Sequence, residues 1–334
     1  MYTYVQCPSS AVGSIPSIFS MAWMPPNAGG NATMLLREIL DREYAPLRML
    51  KPRAKIQYDL TLKRWAEHLG REPETGDLTG LAVQAFLASR RQTVSAGTTV
   101  KDRTHIVALW GHAFHSRRVE THPKATLPRI KAPKRVPKAY RVEEISALVR
   151  VARALPGTWA GVPRSLWLSC FIRLAFETAE RCGAIRGLEW PEVDIEERAV
   201  TFVAEHRKGA AADNRREISA ELAGWLAELR RYGQRQVFPW DKHETMLWHE
   251  LGKLTSICEV KGRGFHGLRR SAASYMAAAG GSAQELLTHD SPRTTRLHYL
   301  DPSIAKPRQS AVDLLPPLDL GEGDAEFVPE PGAA

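Results

Sequence analysis

Residues 123–141 constrain this chain most. Pro123, Pro128, Pro133 and Pro137 recur across the segment. Each lacks a backbone N–H and pushes the residue before it out of the helical region. The segment is therefore predicted to be extended and to split the 334 residues into two folded blocks. It also carries Lys124, Arg129, Lys131, Lys134, Arg135, Lys138 and Arg141 without one acid. It reads either as a solvated linker or as a strap along a phosphate backbone. We take the strap, because each neutralised phosphate releases counterions.

Before this segment, helical spacing dominates. Residues 34–118 read as four helices, clearest where Tyr58, Leu62, Trp65 and Leu69 recur ahead of Gly70, a C-cap. A further helix is expected over Thr98–Arg118. After the segment, Glu143 and Glu144 favour a helix start, and a long helix is expected over 163–181. Ala199–His206 alternates like a strand, with a turn at Arg207–Asn214 and a return strand at Arg215–Ser219. Helices then resume to about Arg308. The predicted fold is mainly α. Its organisation is a disordered extension (1–33), a helical domain (34–122), the basic linker (123–141), a mostly helical domain with a small β-hairpin (142–308) and an acidic tail (309–334).

Charge narrows the partner. The chain carries 46 Lys+Arg and 37 Asp+Glu, but residues 1–30 hold neither, and the tail holds acids alone. A basic middle with an acidic end reads either as a nucleic-acid-binding surface or as a protein of high pI. No stretch is long and apolar enough to span a bilayer. The uncharged start lacks the basic residues of a secretory signal, and translation starting at Met21 or Met24 is an alternative. Cys7, Cys170, Cys182 and Cys258 are widely separated and fit a reducing, cytoplasmic setting rather than a disulfide scaffold or a cysteine-built zinc site.

The chemistry-bearing residues lie in four places: Thr178–Trp190 with Arg181, Lys208 in the turn, His266-Gly-Leu-Arg269, and His289 with Tyr299 ten residues on. Two arginines, a lysine, two histidines and a tyrosine make a poor metal site, since Arg and Lys do not ligate. They suit a phosphodiester undergoing substitution. Tyr275 reads as core and Tyr232 as surface.

In this order and spacing the motifs resemble those of the tyrosine recombinases or phage integrases, over roughly residues 34–308. The resemblance implies a SAM-like core-binding domain ahead of a catalytic domain, the two clamping double-stranded DNA. It implies strand exchange through a covalent phosphotyrosine, with no ATP, cofactor or catalytic metal. Arg181 and Arg269 would hold the non-bridging oxygens, His289 would donate to the phosphate, Lys208 would protonate the leaving 5′-oxygen, and His266 would take the proton of the nucleophile Tyr299. Lys55, Lys63, Arg64, Lys101, Arg103, Lys131, Lys134, Arg135 and Lys138 are candidate DNA contacts, with His105 and Thr99 as groove readers. Tetramer formation on DNA is implied, with a cluster at Val312, Leu314 and Leu315 docking on a neighbour or else lying in a disordered tail. Accessory DNA-bending proteins are candidate further partners, and a nucleoid-associated location follows. Three departures stand out: Ala184 where the family places an acid, which leaves Glu177 or Glu180 to substitute or else implies a modest activity; Thr288 where it has Gly; and a Gly-Ala-rich stretch after Lys208 that is longer than a tight hairpin. The competing reading is a non-cleaving architectural or regulatory DNA-binding protein on the same fold. A metal-dependent nuclease would need a carboxylate cluster that the sequence does not offer. A type IB topoisomerase would relax supercoils without a preferred sequence.

Overall fold

The computed structural model describes residues 33–133, 135–207 and 212–305. All but the last residue of the predicted extension, the tail at 309–334, and Lys134 and Lys208 lie outside them. The chain divides into two compact units, Met1–Lys134 and Arg135–Ala334.

The first unit is helical. Helices α1 (Leu36–Ile39) and α2 (Ala45–Leu47) are joined by one π turn at Leu40–Tyr44. Helix α3 (Pro52–Leu69) starts on a proline, whose missing N–H costs nothing there, and stops at Gly70 with φ 73°. The hydroxyls of Thr79 and Ser95 cap α4 (Gly80–Thr93) and α5 (Ala96–His115). Trp65, Phe86 and Trp110 fill the core. Asp102 is buried on α5 and takes hydrogen bonds from Arg90 (2.9 Å), Arg64 (3.4 Å) and Thr61 (3.2 Å). Burying a carboxylate is tolerable only when it is paired in this way.

The extended reading of 123–141 needs one correction. Pro123–Thr126 forms a single helical turn, α6, because proline at a first helical position loses no hydrogen bond. Beyond it the described backbone is irregular as far as Tyr140.

The second unit starts with α7 (Val142–Arg153) and a two-residue ribbon, β1 (Thr158–Trp159) with β2 (Val162–Pro163). Helix α8 (Arg164–Thr178) is almost wholly buried. Short α9 (Cys182–Arg186) leads to an antiparallel sheet of β3 (Val193–Asp194), β4 (Ala199–Phe202) and β5 (Asn214–Glu217), with β4 central and Phe202 opposite Asn214. Both strands are shorter than expected. β4 ends at Phe202, where a 3-10 turn at Ala204–His206 takes over. Helices α10 (Ala220–Arg230), α11 (Glu244–Ile257), α12 (Gly264–Ala278), α13 (Ala283–Leu287) and α14 (Pro292–His298) complete the unit.

An aromatic stack on α8 sets the core. Trp167 and Phe171 lie parallel with centroids 4.9 Å apart, and Phe171 meets Phe238 and Phe265 edge-on at 5.1 Å each. Phe265 is the residue before His266, so this stack also seats the start of α12. Phe171→Ala is expected to cost about 3–5 kcal/mol, read as a lower denaturation midpoint in urea. A midpoint unchanged within error would contradict this account of the core.

Candidate active site

Two left-handed residues build the floor of the site. Helix α8 stops at Ala179, with φ 53°, and the next two residues diverge. Glu180 turns inward and is 3% exposed, whereas Arg181, the N-cap of α9, is half-buried. The Arg181 side chain makes no hydrogen bond or ion pair with the described residues, although its charge reaches His266, His289 and Arg269. Helix α13 stops in the same way at Thr288, with φ 50°.

Between these two stops lies Arg269. Helical spacing puts His266 and Arg269 on one face of α12, while Phe265 anchors the opposite face in the core. Arg269 is 1% exposed. Its guanidinium donates to the Ala179 carbonyl and, over 2.8 Å, to the Leu287 carbonyl, with the Glu180 carboxylate 3.8 Å away. Its Nε is buried with no hydrogen-bond partner among the described residues. Gly267 is required here by close approach, because a Cβ would lie 2.6 Å from the Tyr140 ring.

Tyr299 closes the site at the end of α14. Its ring centroid lies 5.0 Å from that of His266, 4.5 Å from that of His289 and 5.5 Å from the Arg269 guanidinium carbon. His289 Nδ1 pairs with the buried Thr295 hydroxyl at 2.9 Å. The Ser274 hydroxyl donates to the Tyr299 carbonyl (3.3 Å) and accepts from the Asp301 amide (2.9 Å), and the Asp301 carboxylate accepts from the Ala139 amide (2.8 Å). The segment carrying Tyr299 is thus fixed from both sides.

Both imidazoles are held neutral. Burial, reinforced by Arg270, Arg269 and Arg181, depresses the pKa of His266 to about 4. Burial, with Arg269 and Arg181, depresses His289 to about 4. A neutral imidazole can accept a proton from a phenol or donate one N–H to an anion. Arg181 and Arg269 supply fixed positive charge, which suits an anion rather than a metal. Among the described residues no group of three or more His, Cys, Asp or Glu is placed to hold a metal ion.

Five of the six expected catalytic side chains therefore lie together, and the sixth, Lys208, falls outside the described residues. Of the two acids considered in place of one at 184, Glu177 is committed elsewhere. It accepts from the Ser219 amide and hydroxyl at 2.8 Å each and from Arg173 at 2.7 Å. Glu180 lies buried beneath the site, 3.8 Å from Arg269, and Ala184 packs in the hydrophobic core. Sequence reasoning passed over Arg207, Asn214, Thr295, Ser274 and Asp301. Arg207 adjoins Lys208, but nothing in the sequence marks it as buried. Tyr275, read as core, is half-buried and accepts from the Val142 amide at 2.8 Å, while Tyr232 is exposed.

The candidate DNA contacts separate into two groups. Lys63, Lys101, Lys131, Arg135 and Lys138 are exposed. Lys55 pairs with Asp41 (2.7 Å) and Asp59 (3.1 Å), Arg64 pairs with Asp102, and Arg103 donates to the Leu127 and Pro128 carbonyls at 3.0 Å each. The groove-reading role for Thr99 is corrected, because it is 0% exposed and donates to the Ser95 carbonyl. His105 is half-buried, bonds the Thr61 hydroxyl at 2.8 Å and packs on Tyr58 at 4.4 Å.

The phage integrase family model matches residues 139–305. Tyrosine recombinase XerC of Mycobacterium tuberculosis is 26% identical over 249 residues, covering 69% of this chain and 81% of its own. Among solved structures, a lambda integrase tetramer bound to a Holliday junction superposes with a TM-score of 0.62 at 17% identity, covering 78% of this chain and 79% of that one. The Tn1549 transposon integrase in complex with transposon right end DNA gives 0.62 at 12% identity, covering 84% and 97%. The chain belongs to the phage integrase family, that of the tyrosine-type site-specific DNA recombinases.

The depressed histidines set a pH dependence. The unfolded chain binds these protons near pH 6.5 and the folded chain only near pH 4. Their contribution to stability is present above pH 6.5 and lost as pH falls towards 4. His266→Gln is expected to flatten the fall in unfolding free energy across this window, measured by urea titration at each pH. A slope as steep as that of the parent would contradict the burial argument.

Proposed function

We propose that the chain cuts and rejoins DNA at a specific site through a 3′-phosphotyrosine, with Tyr299 as nucleophile. The supporting observation is the setting of Tyr299, enclosed by two neutral imidazoles and the Arg269 guanidinium. Tyr299 Oη attacks the scissile phosphorus, His266 takes the phenolic proton, and the bond from phosphorus to the 5′-oxygen breaks. Lys208 donates a proton to that oxygen, which leaves as a 5′-hydroxyl. Attack of a 5′-hydroxyl on the phosphotyrosine reverses these steps and frees Tyr299. One phosphodiester is exchanged for a phosphotyrosine, so the strand can be resealed without ATP.

Negative charge grows on the equatorial oxygens during this substitution. Arg181, whose guanidinium has no partner among the described residues, meets them. Arg269 adds charge from a buried position, where it is weakly screened. The His289 ring, oriented by Thr295, donates the N–H of its second nitrogen to the phosphate. Among the expected phosphate contacts, the exposed Lys63, Lys101, Lys131, Arg135 and Lys138 are proposed to meet the DNA backbone. By analogy with lambda integrase, solved as a tetramer on a Holliday junction, four copies are proposed to assemble on two duplexes. The acidic C-terminal segment is proposed to make the contact between neighbours.

Covalent protein–DNA adducts captured from host cells under denaturing conditions test this reading. The parent is expected to yield adducts at one or a few recurrent sequences, and Tyr299→Phe none. Adducts that persist in Tyr299→Phe would assign another nucleophile. Their absence from both, alongside specific DNA binding, would favour the non-cleaving DNA-binding protein.

A further inference from the structure

Three polar residues around the site join one another instead of facing it. Each stands immediately before a candidate catalytic residue: Glu180 before Arg181, Arg207 before Lys208, Thr288 before His289. Arg207 is 6% exposed, and its guanidinium reaches all three segments. Nε donates to Glu180 at 2.9 Å, and one terminal nitrogen donates to the Thr288 hydroxyl at 2.7 Å. The other terminal nitrogen donates to the Ala212 carbonyl at 3.1 Å. Asn214 on β5 adds a hydrogen bond to the same Glu180 oxygen at 3.1 Å. The second Glu180 oxygen accepts the Arg181 amide at 2.9 Å and faces Arg269 at 3.8 Å.

We propose that Glu180, Arg207 and Thr288 form a positioning relay that holds Arg181 and His289 in register, with Glu180 as the carboxylate of the site. The reasoning is energetic. A buried carboxylate and a buried guanidinium are costly unless each keeps its partner, so these segments cannot drift apart without uncovering an unpaired charge. Thr288 adds a local argument. A β-branched residue is strained at positive φ, and here its hydroxyl both accepts from Arg207 and donates to the Leu287 carbonyl at 2.7 Å. That carbonyl also receives Arg269. The hydroxyl therefore offsets the strain and ties the relay to the buried arginine. Ala184, packed in the core, brings no carboxylate, so Glu180 is the acid beside Arg181 and Arg269.

The inference rests on the proposed strand-cleaving function for its catalytic consequence, and the test keeps the two apart. The full chain would be assayed on a nicked duplex carrying the sequence captured from cells. Thr288→Val keeps the shape and the backbone strain but removes the hydroxyl. It is expected to slow adduct formation roughly ten- to a hundredfold, with DNA affinity within about twofold and Thr288→Ser restoring the rate. Glu180→Gln and Arg207→Met are expected to slow it as well, and the double variant no further than the worse single. Parent rates in Thr288→Val, rate losses that multiply in the double variant, or affinity falling in step with rate would overturn the proposal. Amide hydrogen exchange on the same chains needs no DNA. Arg207→Met should loosen residues 285–289 and 212–217 together, and unchanged protection at 285–289 would also overturn it. A parent chain that forms no adduct would instead count against the strand-cleaving function, leaving exchange to decide the relay.

Discussion

The Arg269 guanidinium is the interaction on which the site depends. One buried group donates to the carbonyl at the end of α8 and to the carbonyl at the end of α13, while its own helix carries His266. Both carbonyls belong to helix ends, where backbone acceptors have no partner within the helix. A single cation therefore satisfies two helix termini and fixes the three segments that bear Arg181, His266 and His289. Those same hydrogen bonds pay for burying the charge. The positive potential that would stabilise a phosphoryl transition state is thus part of what holds the unit together.

Two consequences follow from placing so much positive charge in a dry pocket. The imidazoles beside Tyr299 are driven neutral, which leaves them free to accept or donate single protons. The cluster also needs a counter-charge, and Glu180 supplies it from beneath without occupying the face where an anion would sit. Arg216 strengthens the arrangement by donating to the carbonyls of Glu285 and Leu286 at 3.0 and 2.7 Å, so the sheet as well as α12 grips the end of α13.

Much of this was legible in the sequence, because the chemistry-bearing residues fall in short motifs of fixed spacing. His266 and Arg269 share a helix face by periodicity, and Gly70 marks a helix end through its freedom at positive φ. What escaped was direction. Glu180 and Arg181 are neighbours on an irregular segment, where no period says which turns inward, and Arg207 and Lys208 pose the same problem. Thr99 looked like a surface residue on a basic helix, yet α5 turns Thr99 and Asp102 inward because arginines reach in to pair the carboxylate. The turn at Pro123–Thr126 was missed because proline forbids the interior of a helix but not its start.

In the proposed reaction Tyr299 becomes covalently joined to a DNA 3′-phosphate. The most direct measurement is mass spectrometry of the nuclease-trimmed, protease-digested adduct, with analysis of the DNA end left behind. A residual nucleotide on the Tyr299 hydroxyl, with a free 5′-hydroxyl on the other strand end, is the expected result. Nucleotide on another side chain such as Tyr275, or a 5′-phosphate on the released end, would contradict it.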